Sequence, residues 1–448
     1  MRGRQRNYHS GLLPLRDRGF TFGVELIPPR RPSLTSSFAD AVALIALHRP
    51  AYYTLPMKAP YLAASGSSGL QSAVDHVQQA GGRVILTVTT TMSADEDNGA
   101  AATCEGVRRI LQDFLVVRGG EALLLLRGDD ALRRRGERES AAVRERQGGF
   151  QDSVQLLQFA ASEARALTEV PVSLFSSGYP QGHPMDRVWG RDCHTSLAFL
   201  DKLSGGMNDV SADVTVAQPP RGWDAACVEV RKLLYHVELA LSLREVPSSL
   251  PRDAAQRGVQ TLVREKILRH GVRGVITQTL TDAAEFIAYV DDVHRELRCA
   301  GAGGLVEAVT FFPGILAPLT AQEYTRLLLI TKTIPSAVVQ QGLRAYRDGL
   351  RAAAAAAPQL GTSDERRVQT LMDAKAALEQ TFRATLEEET MALCRTILSA
   401  GHRCLHFSVF RNSNMPSLLQ LLDRLRGEEG GRSAASPAMR SPPLFSLL

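Results

Sequence analysis

The sequence predicts an α/β chain folded as a (β/α)8 (TIM) barrel with helical insertions. Eight short, nearly continuous apolar runs are bounded by Gly, Pro and polar clusters, and most are separated by segments with apolar residues at helical spacing. Buried strands alternating with helices indicate a parallel sheet, and a count of eight points to a closed barrel over an open doubly wound sheet. A dinucleotide fingerprint would follow a strand and open a helix. The GAGG run at 301–304 instead precedes a strand, which removes the Rossmann alternative.

In chain order, the first strand is 21–27 (TFGVELI), ended by Pro28-Pro29, and a helix follows over 36–48. Strand 51–56 (AYYTLP) leads to a helix over 68–80, and strand 82–89 (GRVILTVT) to one over 103–116. Strand 121–126 (EALLLL) runs into 127–149, a charge-dense stretch without apolar periodicity that reads as a solvated loop. A helix over 153–166 precedes strand 171–177 (PVSLFSS). Residues 185–255, with Trp189, Trp223, a Pro-Pro pair and an amphipathic stretch at 224–244, read as a helical insertion on the barrel. The pattern resumes with helix 258–269, strand 273–279 (RGVITQT), helix 282–297, strand 306–312 (VEAVTFF) and helix 321–331. A second insertion at 351–380 opens on an Ala run and continues as a charged helix. Helix 386–400 and strand 403–409 (RCLHFSV) complete the barrel, assigned to 18–425, between a basic tail at 1–17 and a Gly-, Ser- and Pro-rich tail at 426–448, both expected to be disordered.

Composition narrows the function classes. Of 448 residues, 52 are Lys or Arg and 47 Asp or Glu, a net charge of +5 that is too small to argue for nucleic acid or a membrane surface as partner. No run approaches the roughly 18 to 20 apolar residues of a membrane span. The six cysteines are scattered without a CxxC pair, and the start lacks a secretory apolar core, so a cytoplasmic location is expected. Neither the cysteines nor His183, His194 and His236 have metal-ligand spacing, and no metal is expected.

In a barrel of this kind the active site is built at the C-terminal strand ends. Alternation in the first strand puts Thr21, Gly23 and Glu25 on one face and Phe22, Val24 and Leu26 on the other, aiming Glu25 into the mouth. A carboxylate partly withdrawn from water has its charged form disfavoured and can act as a general acid near neutral pH. The fourth strand stops at Arg127, Gly128, Asp129 and Asp130, groups able to bind a polar cofactor. The fifth is followed by Tyr179, Gln181 and His183 in a turn-rich loop, and the sixth ends at Gln278.

Taken in order, these pieces resemble the methylenetetrahydrofolate reductase family. The matching segments are FGVELIPPR (Glu25), LLRGD (Arg127, Gly128, Asp129), GYPQGHP (Tyr179, His183), ITQ (Gln278), Pro313-Gly314-Ile315 and His406-Phe407, spread over about residues 18–412. The resemblance implies FAD as cofactor, NAD(P)H as donor and methylenetetrahydrofolate as acceptor, giving methyltetrahydrofolate for methionine supply. It implies that Glu25 protonates the folate ring nitrogen, that Asp129 stabilises the resulting cation and tunes the flavin, and that Gln278 hydrogen-bonds the pterin. It assigns Thr54, Arg127, Gly128, Asp129, Tyr179, His183 and Lys266 (in VREKILRHG) to the flavin, and Arg411 to the folate. A homo-oligomer is compatible with it.

The sequence also departs from the family. A His after the third strand reads Val88, a Tyr-Ala pair reads Asp152-Ser153, the loop Glu is Gln181, and the closing Leu-Asn-Arg reads Phe410-Arg411-Asn412, displacing its Arg by one position. Weakened FAD binding is expected, with Asp152 repelling the flavin pyrophosphate if the two are close. About forty residues follow the last strand, and the S-adenosylmethionine-binding domain that similar eukaryotic enzymes append is expected to be absent. The departures leave a second function class open: a divergent, catalytically impaired barrel that serves as a binding or scaffold partner.

Overall fold

The structure, a computed structural model, describes residues 19–29, 34–56, 62–63, 66–67, 69–90, 104–127, 150, 152–180, 223–242, 252–331, 333–357, 363–409, 411 and 414–432. Eight strands close into a barrel: β1 (Thr21–Leu26), β2 (Tyr52–Leu55), β3 (Val84–Thr89), β4 (Ala122–Leu126), β5 (Ser173–Gly178), β6 (Gly274–Thr279), β7 (Thr310–Leu316) and β8 (Cys404–Val409). Every neighbouring pair is parallel, and β1 joins β8 to complete the ring. The (β/α)8 barrel read from the alternation of runs is therefore the fold of this chain.

The strands are apolar on both faces because each face meets a different packing partner. Val24, Leu26, Leu86, Val88, Leu125, Val275 and Phe407 point outward and are buried against the surrounding helices. The intervening residues point inward, where Tyr52, Ile85, Leu124, Phe175, Ile276 and Phe312 fill the lower barrel as a plug. The barrel is thus packed below and open to chemistry only at its upper end.

Helices α1 (Thr35–Ala46), α2 (Gly69–Gln79), α3 (Cys104–Leu111, continued by a π turn at Gln112–Val117) and α4 (Ser153–Leu167) cover the first half. They are followed by α5 (Trp223–Ser242), α6 (Arg252–Thr261, continued by a π segment at Leu262–Leu268), α7 (Ala283–Cys299), α8 (Ala321–Thr331), α9 (Ala337–Ala356), α10 (Asp364–Ser399) and α11 (Met415–Arg432). The described parts of the 351–380 stretch are the end of α9 and the start of α10, and they pack against α5 from the other expected insertion. Val230, Leu233 and Val237 of α5 join Leu328 of α8, Leu343 and Tyr346 of α9 and Leu371 and Phe382 of α10 in a second core. Salt bridges from Glu238 to Arg347 (3.3 Å) and Arg351 (2.5 Å) rim it.

Several boundaries differ from the sequence reading: α6 starts at Arg252 and α10 at Asp364, both ahead of the segments read, and α9 (Ala337–Ala356) is a helix the reading did not separate, while two further differences bear on the barrel and its end. Strand β7 begins at Thr310, since Gly303–Leu305 form a 3-10 turn and the ladder starts where Thr310 meets Gly274. It also runs on through Pro313 to Leu316, past the 306–312 of the sequence reading. The register between β6 and β7 steps from Ile276 opposite Phe312 to Thr279 opposite Gly314, so a bulge faces the proline whose missing N–H would otherwise break the ladder. The second difference is at the C-terminus, where α11 continues to Arg432, past the start of the segment read as a tail. The tail at 1–17 and the loop at 128–149 lie outside the described residues.

Candidate functional site

Glu25 is the one acidic residue carried by any of the eight strands, and none of them carries Lys or Arg. It is half-buried in β1, between Val24 and Leu26, which face the helices. Two positions earlier on the inner face is Gly23. A Cβ there would lie 2.1–2.6 Å from three atoms of the Tyr52 ring, so the missing side chain is the slot that Tyr52 fills. The inward direction of Glu25 follows. Its register neighbours are Thr54 on β2 and Ser408 on β8.

Beneath this layer is a polar cluster that the sequence reading did not identify. The Tyr52 ring stacks on His406 (5.7 Å between centroids, 10° between planes) and meets Phe312 edge-on at 5.3 Å. Its hydroxyl is 3.2 Å from Nδ1 of His406, and Nε2 of the same imidazole is 3.5 Å from Oγ1 of Thr54. Burial pushes His406 down to about 3, so the ring is neutral, and it drives Tyr52 well up, helped by Cys404 and then by Glu25. The signal was available in the alternation of YYTL and CLHFSV, which puts Tyr52 and Thr54, and Cys404, His406 and Ser408, on the inner face.

Around the rim, Thr90 just after β3 donates its hydroxyl to the backbone carbonyl of Arg127 just after β4, tying two strand ends together. Arg127 is exposed and Tyr179 half-buried. Gln278 lies on the β6 bulge, half-buried. There Gly314 is needed for close approach, because a Cβ would come within 2.4 Å of the carbonyl oxygen of Thr277. Arg411, after β8, is paired through Nε with Glu323 of α8 at 3.0 Å.

Other expected site residues are placed elsewhere. Val88 faces the helices and is fully buried, so it occupies no position from which a side chain could reach a ligand in the mouth. The inward positions of that strand are Ile85, Thr87 and Thr89. Asp152 is the N-cap of α4, accepting from the backbone N–H groups of Val154 (2.8 Å) and Gln155 (2.9 Å), and Ser153 opens that helix. Thr54 is fully buried against His406. Lys266, in the π segment after α6, donates to Oγ of Ser176 at 2.9 Å. Ser176 is in register with Leu125 and Val275, both outward-facing, so this ammonium lies in the wall between sheet and helices. Burial lowers it to about 8, with Asp152 pulling the other way. Gly128, Asp129, Gln181, His183 and Asn412 lie outside the described residues.

Among the described residues no group of His, Cys, Asp and Glu could hold a metal ion, and no helix is long and apolar enough to cross a membrane. The fold and the mouth define a (β/α)8 barrel protein with a single strand-borne carboxylate over a neutral, hydrogen-bonded floor. No family model and no curated protein matches the chain. Among solved structures it is similar in outline to a Clostridium thermocellum protein described as binding two copies of 5-methyl-5,6,7,8-tetrahydrofolic acid (9% identity, TM-score 0.43, 92% of this chain and 97% of that one). It is similar also to an F420-dependent secondary alcohol dehydrogenase in complex with an F420-acetone adduct (11% identity, TM-score 0.38, 91% and 99%). Similarity at this level bears on neither ligand nor activity.

Proposed function

We propose that the barrel is a flavin-dependent folate reductase, which takes hydride from NAD(P)H and converts methylenetetrahydrofolate to methyltetrahydrofolate. The observation that carries this reading is Glu25, the lone strand carboxylate, inward-facing and half-buried among Thr54 and Ser408. A general acid needs an ionisable group partly shielded from water, which raises the cost of its charged form. Glu25 protonates the folate ring nitrogen and so opens the five-membered ring, and Gln278 on the β6 bulge holds the pterin edge.

FAD would supply the hydride carrier. The described residues that fit its ring end are Thr87, Arg127 and Tyr179. Thr87 offers an inward hydroxyl that is 2% exposed and has no hydrogen-bond partner, an unmet polar atom that a heteroaromatic edge would satisfy. Arg127 and Tyr179 end the adjacent strands β4 and β5 at the rim.

The test is anaerobic stopped flow on purified, FAD-saturated protein. In Glu25→Gln, flavin reduction by the nicotinamide stays near wild type, while reoxidation by methylenetetrahydrofolate slows by about two orders of magnitude or more, the usual scale for a positioned general acid. Equal losses in both half-reactions would assign Glu25 a structural role. One observation favours the second reading, a barrel that binds without turnover: Thr54 and Lys266, both expected on the flavin, are committed to His406 and Ser176. A protein whose melting temperature does not move with high-micromolar FAD would support it over the reductase.

A further inference from the structure

We propose that a small cavity on the helix side of the barrel wall, between β7 and helices α8, α9 and α10, is a binding site for a short alkylammonium ion held by the Glu389 carboxylate. The site is separate from the mouth, and the inference requires neither flavin nor folate.

The cavity, about 40 Å3 in volume, lies where the two cores meet. Leu280 and Ile315 on its barrel side belong to the core between sheet and helices, whereas Tyr324, Val339 and Leu386 belong to the second core. A water-sized group takes roughly 10–15 Å3, so there is room for about three. Glu389, Thr281, Ser336 and Leu393 also line the cavity and are half-buried, which keeps it within reach of solvent.

The polar atoms here are set almost entirely as acceptors. The Ser336 hydroxyl donates to Oε2 of Glu389 at 2.6 Å and, as the N-cap of α9, accepts from the N–H of Val339 at 3.3 Å. Thr281 donates to the carbonyl of Ile334 at 2.9 Å, and Thr390 to that of Leu386 at 2.8 Å. The protons of these three hydroxyls are spent, while Thr281, Thr390 and Oε1 of Glu389 retain lone pairs. Tyr324 is 3% exposed, and burial, followed by the charge of Glu389, pushes its phenol up, yet no direct hydrogen bond joins the two side chains. Space for a bridging guest separates them.

Among the described residues no Lys or Arg lines the cavity or pairs with Glu389. A guest that meets one negative charge, several acceptors and no counter-cation is complementary when it is cationic and rich in donors. An –NH3+ head offers three N–H donors and no acceptor. A hard metal ion takes about six oxygens, and the side chains of Leu280, Ile315, Val339, Leu386 and Leu393 supply none. Those same walls favour a methyl or ethyl group behind the ammonium.

The experiment titrates carbon-13 methylammonium into the full chain at fixed ionic strength and follows the ligand methyl by NMR. The expected result is saturable binding in the millimolar range, the ceiling for a ligand of so few atoms. Ethylammonium should displace the label, while potassium and tetramethylammonium, which have no N–H, should not. Cross-relaxation from the bound methyl to the Val339 and Leu393 methyls locates it in the wild-type protein, so the result does not depend on any variant folding. Glu389→Gln should weaken binding about tenfold or more by removing the charge-assisted bond, and Leu393→Phe should weaken it by filling the space while leaving the carboxylate in place. A signal that never saturates, displacement by potassium as effective as by ethylammonium, absence of the cross-relaxation, or unchanged affinity in Glu389→Gln overturns the proposal.

Discussion

Gly23→Ala is the sharpest test of the inner-face packing. An added Cβ would stand 2.1 Å from Cζ, 2.3 Å from Cε2 and 2.6 Å from Cε1 of Tyr52, where ordinary contacts begin beyond 3.4 Å. The ring must retreat by more than an ångström. Phe312 at 5.3 Å, Phe175 at 6.3 Å and His406 at 5.7 Å surround it, so retreat pushes on a packed core. Overpacking of this kind costs about 1–3 kcal/mol. Moving the ring also breaks the 3.2 Å bond to His406 and leaves buried polar atoms unpaired, for about 1–3 kcal/mol more. Against this, replacing Gly by Ala stiffens the unfolded chain and returns about 0.4–1 kcal/mol. The expected net destabilisation is about 1–5 kcal/mol, summed from these ranges. Urea unfolding of Gly23→Ala, Tyr52→Leu and the double variant measures it, and the cost of Gly23→Ala should fall sharply once the Tyr52 ring is gone. A Gly23→Ala cost below about 0.5 kcal/mol, or an equal cost with and without Tyr52, would refute the slot.

Two further predictions concern the wall. Lys266 titrates near 8 in the fold against 10.5 unfolded, so between those values the unfolded chain binds the additional proton and stability rises with pH, by about 1.4 kcal/mol per unit at most. Melting temperature followed from pH 7 to pH 10 should show that rise in wild type and lose it in Lys266→Met, and a rise retained in the variant would place its origin elsewhere. Asp152→Ala should cost about 1 kcal/mol as a lost N-cap and lower the Lys266 titration further, because the Asp152 charge now holds it up. Denaturation at pH 6 and pH 9 separates the two effects, and a variant as stable as wild type at both would contradict the cap.

The barrel was legible because buried parallel strands have no polar face to obscure them, and β3 and β4 read as plain apolar runs. The inward direction of Glu25 was legible for a related reason, since Phe22, Val24 and Leu26 fix the opposite face of β1. Strand ends were harder. Pro313 lies inside β7 because a bulge on a strand distant in sequence faces it, and no local rule contains that fact. Motif matching also aligned Val88 and Asp152 with ligand-binding positions of the family and assigned Lys266 to the flavin, when an outward face, an N-cap and a hydrogen bond to Ser176 respectively commit them elsewhere. A motif position records residue type, and only register and helix placement decide where the side chain goes. His406 illustrates the converse: it was noted as part of a match, yet its partners Tyr52 and Thr54 come from a strand more than 350 residues away.

The inner surface is divided by chemistry. On β1, β2 and β8 it carries Glu25, Tyr52, Thr54, Cys404, His406 and Ser408, while on β4 to β7 the inward positions of the plug are Ala122, Leu124, Phe175, Ile276 and Phe312. Below Glu25, Tyr52, Thr54 and His406 are buried, where an unpaired charge would be costly, and Tyr52 and His406 are neutral. Glu25, half-buried above them, is the acid of the sector that reaches toward the mouth. Among the described residues, a flat ligand entering the mouth meets the strand-borne carboxylate on the β1 side and neutral polar groups such as Thr87 and Gln278 above the apolar plug on the other. That asymmetry places the strand-borne acid at the β1 edge of the barrel, opposite the apolar plug residues of β4 to β7.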